Sequence, residues 1–254
     1  MIKLTLVIPM YNEQKNLKTT LPRVTEYLRA RFGEAHEILF VDDGSTDGSP
    51  DTVEKQANEA TRVLRNAENH GKGYAVRQGM LAARGDIVIF TDCDLAYGTE
   101  AIGELYDLLA AEGAPDAAVA SRDLHPDGYA GYSIFRRFVS RTYRAVLRIF
   151  FGLRLSDSQS GLKGFRREAA EAIFSRAEVD RYAFDFEAIM IGMRLGVRFG
   201  EMPARVIENN PGKIRFFRDS LRMMRDLFRI RRRLRKIPEG GDKQARPPTD
   251  GTRA

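Results

Sequence analysis

Two acidic residues separated by one position follow the most apolar short segment of the chain. Ile87-Val88-Ile89-Phe90 leads through Thr91 into Asp92-Cys93-Asp94. Alternate side chains of an extended chain point the same way, so the two carboxylates repel each other unless a cation lies between them. Hard oxygen ligands of this kind suit Mg²⁺ or Mn²⁺ carrying a diphosphate. The pattern predicts a metal–diphosphate site, with two solvated loop acids as the alternative and Cys93 as a small buried side chain.

A second acidic pair, Asp42 and Asp43, follows an earlier apolar segment and precedes a turn of Gly, Ser, Thr and Asp at residues 44–48. A carboxylate at such a place can accept hydrogen bonds from a nucleobase or a ribose. The same residue types also serve plain turns and helix N-caps, which is the alternative interpretation. Lys72, flanked by two glycines, opens a predicted helix and could bind phosphate.

These side chains meet only if a parallel sheet brings the strand ends to one edge. Short apolar segments alternate with longer amphipathic ones, which is typical of βαβ units in an α/β protein with a mainly parallel sheet flanked by helices. We predict strands at residues 4–9, 37–41, 61–64, 86–90 and 117–120, and a closing strand or strand pair at 197–205. We predict helices at residues 16–32, 49–60, 73–83, 100–112, 132–151, 167–175, 184–195 and 216–235. Ligands of such sheets lie beyond the carboxyl ends of the strands.

Charge is distributed unevenly along the 254 residues, whose formal net charge is +6. Residues 213–236 hold eleven basic residues against two acids, a net charge of +9, and residues 237–254 are balanced, which leaves the first 212 residues at −3. The basic segment is amphipathic, with Phe217, Leu221, Met224 and Phe228 on one predicted face. This asymmetry indicates a polyanionic partner, either an anionic membrane surface or a nucleic acid. We expect residues 238–254, rich in Pro, Gly and charge, to be disordered.

Other features of the sequence narrow the class of protein. The single cysteine excludes an internal disulfide and fits a reducing compartment. No run of about 18 apolar residues occurs, so we expect no transmembrane helix.

A cluster of arginines follows the strand predicted at residues 117–120. Ser121-Arg122 comes directly after it, and a predicted helix then carries basic and hydroxyl residues among aromatic ones. The basic and hydroxyl residues are Arg136, Arg137, Ser140, Arg141 and Arg144. A basic amphipathic helix can bind a phosphate or lie on a membrane with its arginines at the headgroups, and a surface helix that covers the sheet is the alternative.

Residues 7–13, 41–48 and 92–94, in this order, resemble inverting family 2 glycosyltransferases of the GT-A fold. Two later segments, 157–165 and 182–187, resemble the polyprenyl-phosphate branch of that family, which includes dolichyl-phosphate glucosyltransferases and mannose synthases. The glucosyl type is the closer match, through Asp-x-Gln-x-Gly-x-Lys at 157–163 and Ala-Phe-Asp-x-Glu at 183–187. The resemblance covers residues 4–235.

The resemblance implies roles for particular residues. Those expected to bind the nucleotide sugar are Pro9, Tyr11, Glu13, Asp42 or Asp43, Lys72, Asp92 and Asp94. Asp92 and Asp94 would also hold Mg²⁺ or Mn²⁺. Those expected to grip the acceptor phosphate are Arg122, Arg136, Ser140 and Lys213. Mannose synthases have Gln where this chain has Ala96, so one metal ligand is missing or replaced by water.

A lipid phosphate would act as the nucleophile. Its second pKa is about 6, so it is mostly ionised at neutral pH and needs positioning more than a general base. We predict Asp94 and Asp157 as catalytic carboxylates, Asp157 near the anomeric centre, with a structural role as the alternative for Asp157. Asp185 and Glu187 are further candidates, with capping or orienting arginines as their alternative.

The sequence thus predicts a GT-A catalytic domain at residues 1–212, a membrane-associating basic helix at 213–237 and a tail at 238–254. The expected reaction moves a hexose, favouring UDP-glucose over GDP-mannose as donor, to a polyprenyl phosphate of the dolichyl or undecaprenyl type. We expect the enzyme to be cytoplasmic and peripheral on the inner membrane face. The alternatives are a family 2 transferase acting on a saccharide or glycolipid hydroxyl and, more remotely, a nucleic-acid-binding protein.

Overall fold

The computed structural model describes residues 1–129, 144–145, 147–153, 155–207 and 226–240. Three predicted acceptor-site residues, Arg136, Ser140 and Lys213, lie outside these ranges. So do most of the helix predicted at 132–151, the first half of the helix predicted at 216–235, and the tail beyond residue 240.

Seven strands form one sheet, as the sequence predicts for an α/β protein. They are β1 (Leu4–Met10), β2 (His36–Asp42), β3 (Thr61–Arg65), β4 (Ile87–Phe90), β5 (Ala117–Ser121), β6 (Lys163–Arg166) and β7 (Phe199–Pro203). Their order across the sheet is β3-β2-β1-β4-β6-β5-β7. Only β6 runs antiparallel to its two neighbours, and the other described pairs are parallel. The mainly parallel sheet is therefore confirmed, and β6 is a strand that the sequence pattern did not predict.

Six helices connect the strands in the described ranges. They are α1 (Gln14–Phe32), α2 (Ser49–Glu54), α3 (Lys72–Ala82), α4 (Glu100–Ala110), α5 (Arg167–Phe174) and α6 (Phe184–Arg194). Residues 147–151 and 226–234 are also helical. The helix predicted at 49–60 ends early because the side chain of Asn58 accepts a hydrogen bond from the N–H of Ala60 (2.9 Å) and forms a turn before β3.

The two faces of the sheet bury two separate hydrophobic cores. Leu4, Leu6 and Ile8 of β1 point to one face, where α1 and α4 pack, whereas Val7 points to the other, where α3, α5 and α6 pack. This alternation follows from the two-residue period of a strand, and burial on both faces explains why β1 is continuously apolar. The helices that pack on both faces position the central strands β1 and β4, and with them the polar residues at the carboxyl ends of these strands.

The C-terminal helical segment, residues 226–234, packs on the second core. Leu227 and Ile230 are almost fully buried, and the guanidinium of Arg233 lies 2.7 Å from carboxylate oxygens of both Glu187 and Glu178. Phe228, on the apolar stripe predicted from the sequence, is 60% exposed. Among the described residues, every helix is too short or too polar to cross a bilayer.

Candidate active site

The carboxyl ends of three adjacent parallel strands supply the predicted donor-site residues. β1 ends at Met10, β2 ends at Asp42, and β4 ends two residues before Asp92. Because parallel strands end at the same edge, the structure brings these acidic residues to one side of the sheet, where α/β proteins bind ligands. Pro9 is buried in β1, and Tyr11 lies in the following loop with 44% of its surface exposed.

The loop after β1 is fastened to the loop after β2. The Asn12 N–H donates to Ser45 Oγ (2.9 Å), and Asn12 Oδ1 accepts from the Thr46 N–H (2.8 Å). The Glu13 N–H donates to Ser49 Oγ (2.9 Å) in the same manner. The Ser and Thr residues of this turn therefore hold the two loops together, which keeps Tyr11 and Glu13 beside the end of β2.

The neighbouring acids Asp42 and Asp43 have different partners. The carboxylate of Asp43 accepts hydrogen bonds from Asn66 Nδ2 (3.2 Å), the His70 N–H (3.1 Å) and the Gly71 N–H (2.7 Å). Asp43 therefore holds the loop that leads into α3. In the hydrogen bonds described for the Asp42 carboxylate, the one donor is the Ser45 N–H, which lies 3.3 Å from each carboxylate oxygen. Asp42 is thus the better placed of the two to receive a hydrogen bond from a ligand.

Lys72, the first residue of α3, forms an ion pair with Asp92. Both side chains are about one-third exposed, at 30% and 37%. Burial of the ammonium opposes its charge, but the carboxylates of Asp92 and then Asp185 outweigh burial and raise the pKa of Lys72. Lys72 is therefore a fixed cation at the carboxyl edge, positioned by the helix that it begins.

Asp94 carries charge that its surroundings only partly compensate. Its Oδ1 accepts from the Ala96 N–H (3.1 Å). Burial, and then the nearby charge of Asp92, raise the pKa of Asp94 to about 6, although the Ala96 N–H and Lys72 act against this rise. Asp92 and Asp94 together therefore exceed the positive charge that Lys72 supplies, and an additional cation would be stabilised beside them.

The donor set at Asp92 and Asp94 suits a divalent cation that also binds a ligand. Among the described residues, no three His, Cys, Asp or Glu side chains come close enough to form a complete metal site. Mg²⁺ typically takes only one or two carboxylates and completes its coordination with water and substrate phosphates. Two carboxylates therefore fit, and Ala96 contributes its N–H to Asp94 in place of a ligating side chain. Cys93, between them, is buried as predicted, and burial raises the pKa of its thiol.

Gly161 lies directly against the carboxylate of Asp92. A Cβ atom built on Gly161 would stand 2.3 Å from Asp92 Oδ2 and 2.9 Å from its Cγ. Only a residue without a side chain leaves that carboxylate in place. Gly161 belongs to the Asp-x-Gln-x-Gly-x-Lys motif at residues 157–163. Nothing in that segment of the sequence predicts its contact with Asp92, which lies far away along the chain.

Substituting Ala for Gly161 is expected to push the Asp92 carboxylate away from Lys72. Because these atoms are the free end of a side chain that is 37% exposed, the carboxylate can swing aside at little cost to stability, and the loss falls on the site. We therefore expect a near-native urea midpoint but at least about tenfold weaker donor binding, measured by calorimetric titration with UDP-glucose and Mn²⁺. Gly113→Ala is the glycine control for donor binding, since nothing lies within 4 Å of its Cβ position and its φ of +69° adds backbone strain outside the site. Native donor affinity of Gly161→Ala would contradict the contact.

A buried lysine supports the Gly161 segment. Lys163, on β6, is fully buried, and its Nζ lies 2.6 Å from Asp185 Oδ1 and donates to the carbonyl of Ser160. Its strand partner on β4 is Phe90. Burial raises the pKa of Asp185 even though Lys163 and Lys72 oppose the rise. A connected set of alternating charges thus reaches from the core to the carboxyl edge of the sheet. It consists of Lys163, Asp185, Lys72 and Asp92.

Arg122 follows β5 at the same edge and is paired with Asp157. Its Nε lies 2.6 Å from Asp157 Oδ2, and its second terminal nitrogen donates to Oδ1 at 2.8 Å. Burial would raise the pKa of Asp157, but the hydrogen bonds from Arg122 hold it below the usual value. The Arg122 guanidinium also lies over the Tyr129 ring, 5.5 Å from its centroid. The geometry therefore supports the alternative for Asp157, in which this carboxylate orients an arginine.

Glu187 likewise has structural partners. Its Oε2 accepts from the N–H groups of Glu178 (2.9 Å) and Val179 (2.7 Å), and its Oε1 binds Arg233. Glu187 therefore anchors the C-terminal helical segment, in keeping with the alternative stated for it, whereas Asp185 belongs to the charged set beside Lys72.

Known proteins share both the sequence pattern and the fold. The family model "Glycosyl transferase family 2" matches residues 5–174. A dolichyl-phosphate beta-glucosyltransferase from Drosophila melanogaster is 33% identical over 242 residues, which cover 90% of this chain and 74% of that protein.

Solved structures resemble the fold at lower sequence identity. Glucosyl-3-phosphoglycerate synthase from Mycobacterium tuberculosis, in complex with UDP, aligns with a TM-score of 0.65 and 22% identity over 94% of this chain and 82% of its own. A mannosyltransferase from Pyrobaculum calidifontis, in complex with GDP-Man and Mn²⁺, gives a TM-score of 0.62 and 21% identity over 94% and 66% of the two chains. At these identities the likeness shows the fold, and it confirms the GT-A architecture.

Proposed function

This chain belongs to glycosyl transferase family 2, and we propose that it transfers a hexose from a nucleotide sugar to a polyprenyl phosphate with inversion. The observation that carries the proposal is the similarity to a dolichyl-phosphate beta-glucosyltransferase over 90% of the chain. The geometry supports it, since a carboxylate pair and an oriented arginine stand at one edge of the sheet, on strands β4 and β5 that only β6 separates. Residues 1–212 form the catalytic domain of this proposal.

Donor binding is assigned to the ends of β1, β2 and β4. Pro9, Tyr11 and Glu13 line the nucleotide pocket, and Asp42 accepts hydrogen bonds from base or ribose while Asp43 holds the loop before Lys72. Three further donor-site residues are assigned to the diphosphate, namely Lys72, Asp92 and Asp94. A divalent cation, Mg²⁺ or Mn²⁺, held by Asp92 and Asp94 would supply positive charge for the leaving diphosphate.

Acceptor binding is assigned to Arg122. Its bidentate contact with Asp157 fixes the guanidinium plane, and a planar, permanently charged guanidinium suits a phosphate. Arg136, Ser140 and Lys213, outside the described residues, are proposed as further contacts of the acceptor phosphate.

The reaction is one displacement at the anomeric carbon. A phosphate oxygen of the lipid forms a bond to that carbon while the bond to the diphosphate oxygen breaks, and the nucleoside diphosphate leaves with the bonding electron pair. The lipid phosphate is mostly ionised at neutral pH, so no proton must be removed from it. The protein therefore contributes mainly orientation and charge stabilisation, which fits the engagement of Asp157 with Arg122.

The donor is proposed as UDP-glucose, with GDP-mannose as the second candidate. Radiolabelled UDP- and GDP-sugars would be incubated with the full chain, Mg²⁺ or Mn²⁺, and a polyprenyl phosphate in detergent. Label in the organic phase that depends on the lipid is the expected result, with the highest rate for UDP-glucose. Label transferred only to a saccharide or a glycolipid hydroxyl would support the alternative family 2 activity instead.

A lipid acceptor places the reaction at a membrane. We propose that the protein associates peripherally with the cytoplasmic face, because its basic segment at 213–237 suits anionic lipids. No observation favours the nucleic-acid alternative.

A further inference from the structure

Two helical segments far apart in sequence leave bulky apolar side chains exposed at their junction. Residues 147–151 and 226–234 meet where the rings of Phe151 and Phe228 lie 6.4 Å apart between centroids. Ile149 is 76% exposed, Phe150 is 58% exposed and Phe228 is 60% exposed. These are three of the nine exposed large apolar side chains of the described residues, so such side chains are concentrated here.

The exposed residues are not edges of the core. Leu147, Leu227 and Ile230 already supply the buried contacts of the two segments. In the C-terminal segment, Phe228 lies about 100° around the helix from Leu227 and so points away from the docked face. Its exposure is therefore a separate feature that packing on the body does not explain, and exposed apolar clusters of this kind mark interaction sites.

Arginines surround the apolar side chains. Arg231, Arg232 and Arg235 follow Phe228 at i+3, i+4 and i+7, which places them on the same helix face, and all three are exposed. Arg148 is exposed beside Ile149. Arg231 also lies over the Phe151 ring, 5.9 Å from the centroid, and so ties the two segments together.

The acid of the C-terminal segment lies elsewhere. Asp226 precedes Phe228 by two positions, which puts it on the opposite side of the helix, where its carboxylate lies 3.9 Å from Arg229. Arg232, at the border of this surface, also lines a pocket with Asp226, Glu178 and Asp180, whereas Asp226 is the one acid among the described residues of these two segments up to residue 236.

We propose that this surface, named here the aromatic–arginine face and made of Arg148, Ile149, Phe150, Phe228, Arg231, Arg232 and Arg235, docks on an anionic lipid bilayer. The apolar side chains enter the headgroup region, and the arginines lie at the phosphate level. Charge complementarity selects this occupant, since each basic residue near an anionic membrane adds to the attraction. A nucleic acid would satisfy the arginines but would leave three apolar side chains in contact with phosphates.

The inference rests on the proposed lipid acceptor, and it sharpens the expectation that residues 213–237 associate with the membrane. The C-terminal segment uses Leu227 and Ile230 to hold the body, and it shares the membrane contact with residues 148–150. Deleting the segment would expose the second core, so point substitutions are the cleaner test.

The test is co-sedimentation of the full chain with vesicles of phosphatidylcholine, with and without phosphatidylglycerol. The native protein is expected to sediment with the anionic vesicles, and the variant Ile149→Glu/Phe228→Glu is expected to partition at least about tenfold more weakly. Leu81→Glu, at an exposed apolar position on α3 (45% exposed), is the matched control and should behave as the native protein. The triple variant R231Q/R232Q/R235Q should show a smaller preference for anionic vesicles than the native protein.

Two results would overturn the proposal: unchanged partitioning of the double glutamate variant, or duplex DNA binding of the native protein without vesicle binding. Transfer by the native protein to a polyprenyl phosphate in detergent micelles, which present no bilayer, tests the proposed function separately. Transfer in micelles without vesicle sedimentation would reject the docking face alone. Vesicle sedimentation without transfer to any polyprenyl phosphate would reject the function and leave the docking face in place.

Discussion

Asp94→Asn is expected to reduce sugar transfer by at least about 10²–10³-fold, the loss typical of removing one charge-stabilising group at a reaction centre. Asn keeps the size of the side chain and an oxygen that accepts from the Ala96 N–H. It lacks the anionic charge that, with Asp92, would hold a divalent cation. The rate of label transfer from nucleotide sugar to polyprenyl phosphate, at saturating Mg²⁺ or Mn²⁺, measures the effect.

The same substitution is expected to leave the fold intact and to raise its stability slightly. Burial and the charge of Asp92 disfavour ionised Asp94, so its pKa is raised in the folded protein. Stability therefore falls as the pH rises from about 4, the pKa of an unfolded Asp, and the loss is complete above the folded pKa of about 6; a neutral Asn removes this effect. Melting in EDTA should show an equal or higher temperature for Asp94→Asn, a pattern that distinguishes a functional residue from a structural one.

Asp116→Asn provides the matched control for that experiment. Asp116 precedes β5 at the opposite edge of the sheet and pairs with Arg198, 2.9 Å away on the surface. Its removal takes away the same chemical group without touching the candidate site. Near-native transfer by Asp94→Asn, or an equal loss in Asp116→Asn, would contradict the assignment of Asp94.

The acidic residues at the carboxyl edge of the sheet could be predicted because the sequence pattern that marks them is local. An apolar run that ends in acids, repeated for β2 and β4, specifies both the strand and the place where its polar residues emerge. β6 has no such signal, since Lys163 and Gly164 interrupt the apolar pattern of a four-residue strand. Lys163 is buried only because Asp185, on another element, compensates its charge, and no spacing rule contains that pairing.

The roles of Asp157 and Phe228 depended on tertiary structure in the same way. The sequence offered Asp157 both as a reacting carboxylate and as a structural one, and the bidentate contact with Arg122 favours the second. The basic helix has two apolar stripes at helical spacing, one that includes Phe228 and one that includes Leu227 and Ile230. Packing on the body uses Leu227 and Ile230, which leaves Phe228 exposed, so periodicity predicted an amphipathic helix but not which stripe would be buried.

Lys163→Met is expected to weaken both stability and donor binding. Met fills a similar volume without charge, so Asp185 would remain buried without its close partner, a change that costs about 3–5 kcal/mol. Asp185 would then compete with Asp92 for Lys72, whose charge both carboxylates already stabilise. The carbonyl of Ser160, next to Gly161, would also lose its hydrogen bond from Lys163. Both the ion pair of Asp92 with Lys72 and the contact of Asp92 with Gly161 would therefore weaken.

The double variant Lys163→Met/Asp185→Leu separates the two effects. Removing both charges from a buried pair is often nearly neutral for folding, so the urea midpoint should recover toward the native value. Donor binding should not recover, because the Ser160 carbonyl beside Gly161 still lacks its hydrogen bond from Lys163, and loss of such a supporting contact typically costs about 10–100-fold in affinity or activity. Calorimetric titration with UDP-glucose in the presence of Mn²⁺, together with the KM for the donor, measures this binding. If the double variant regained native affinity along with native stability, Lys163 would serve the core alone and would not position Asp92.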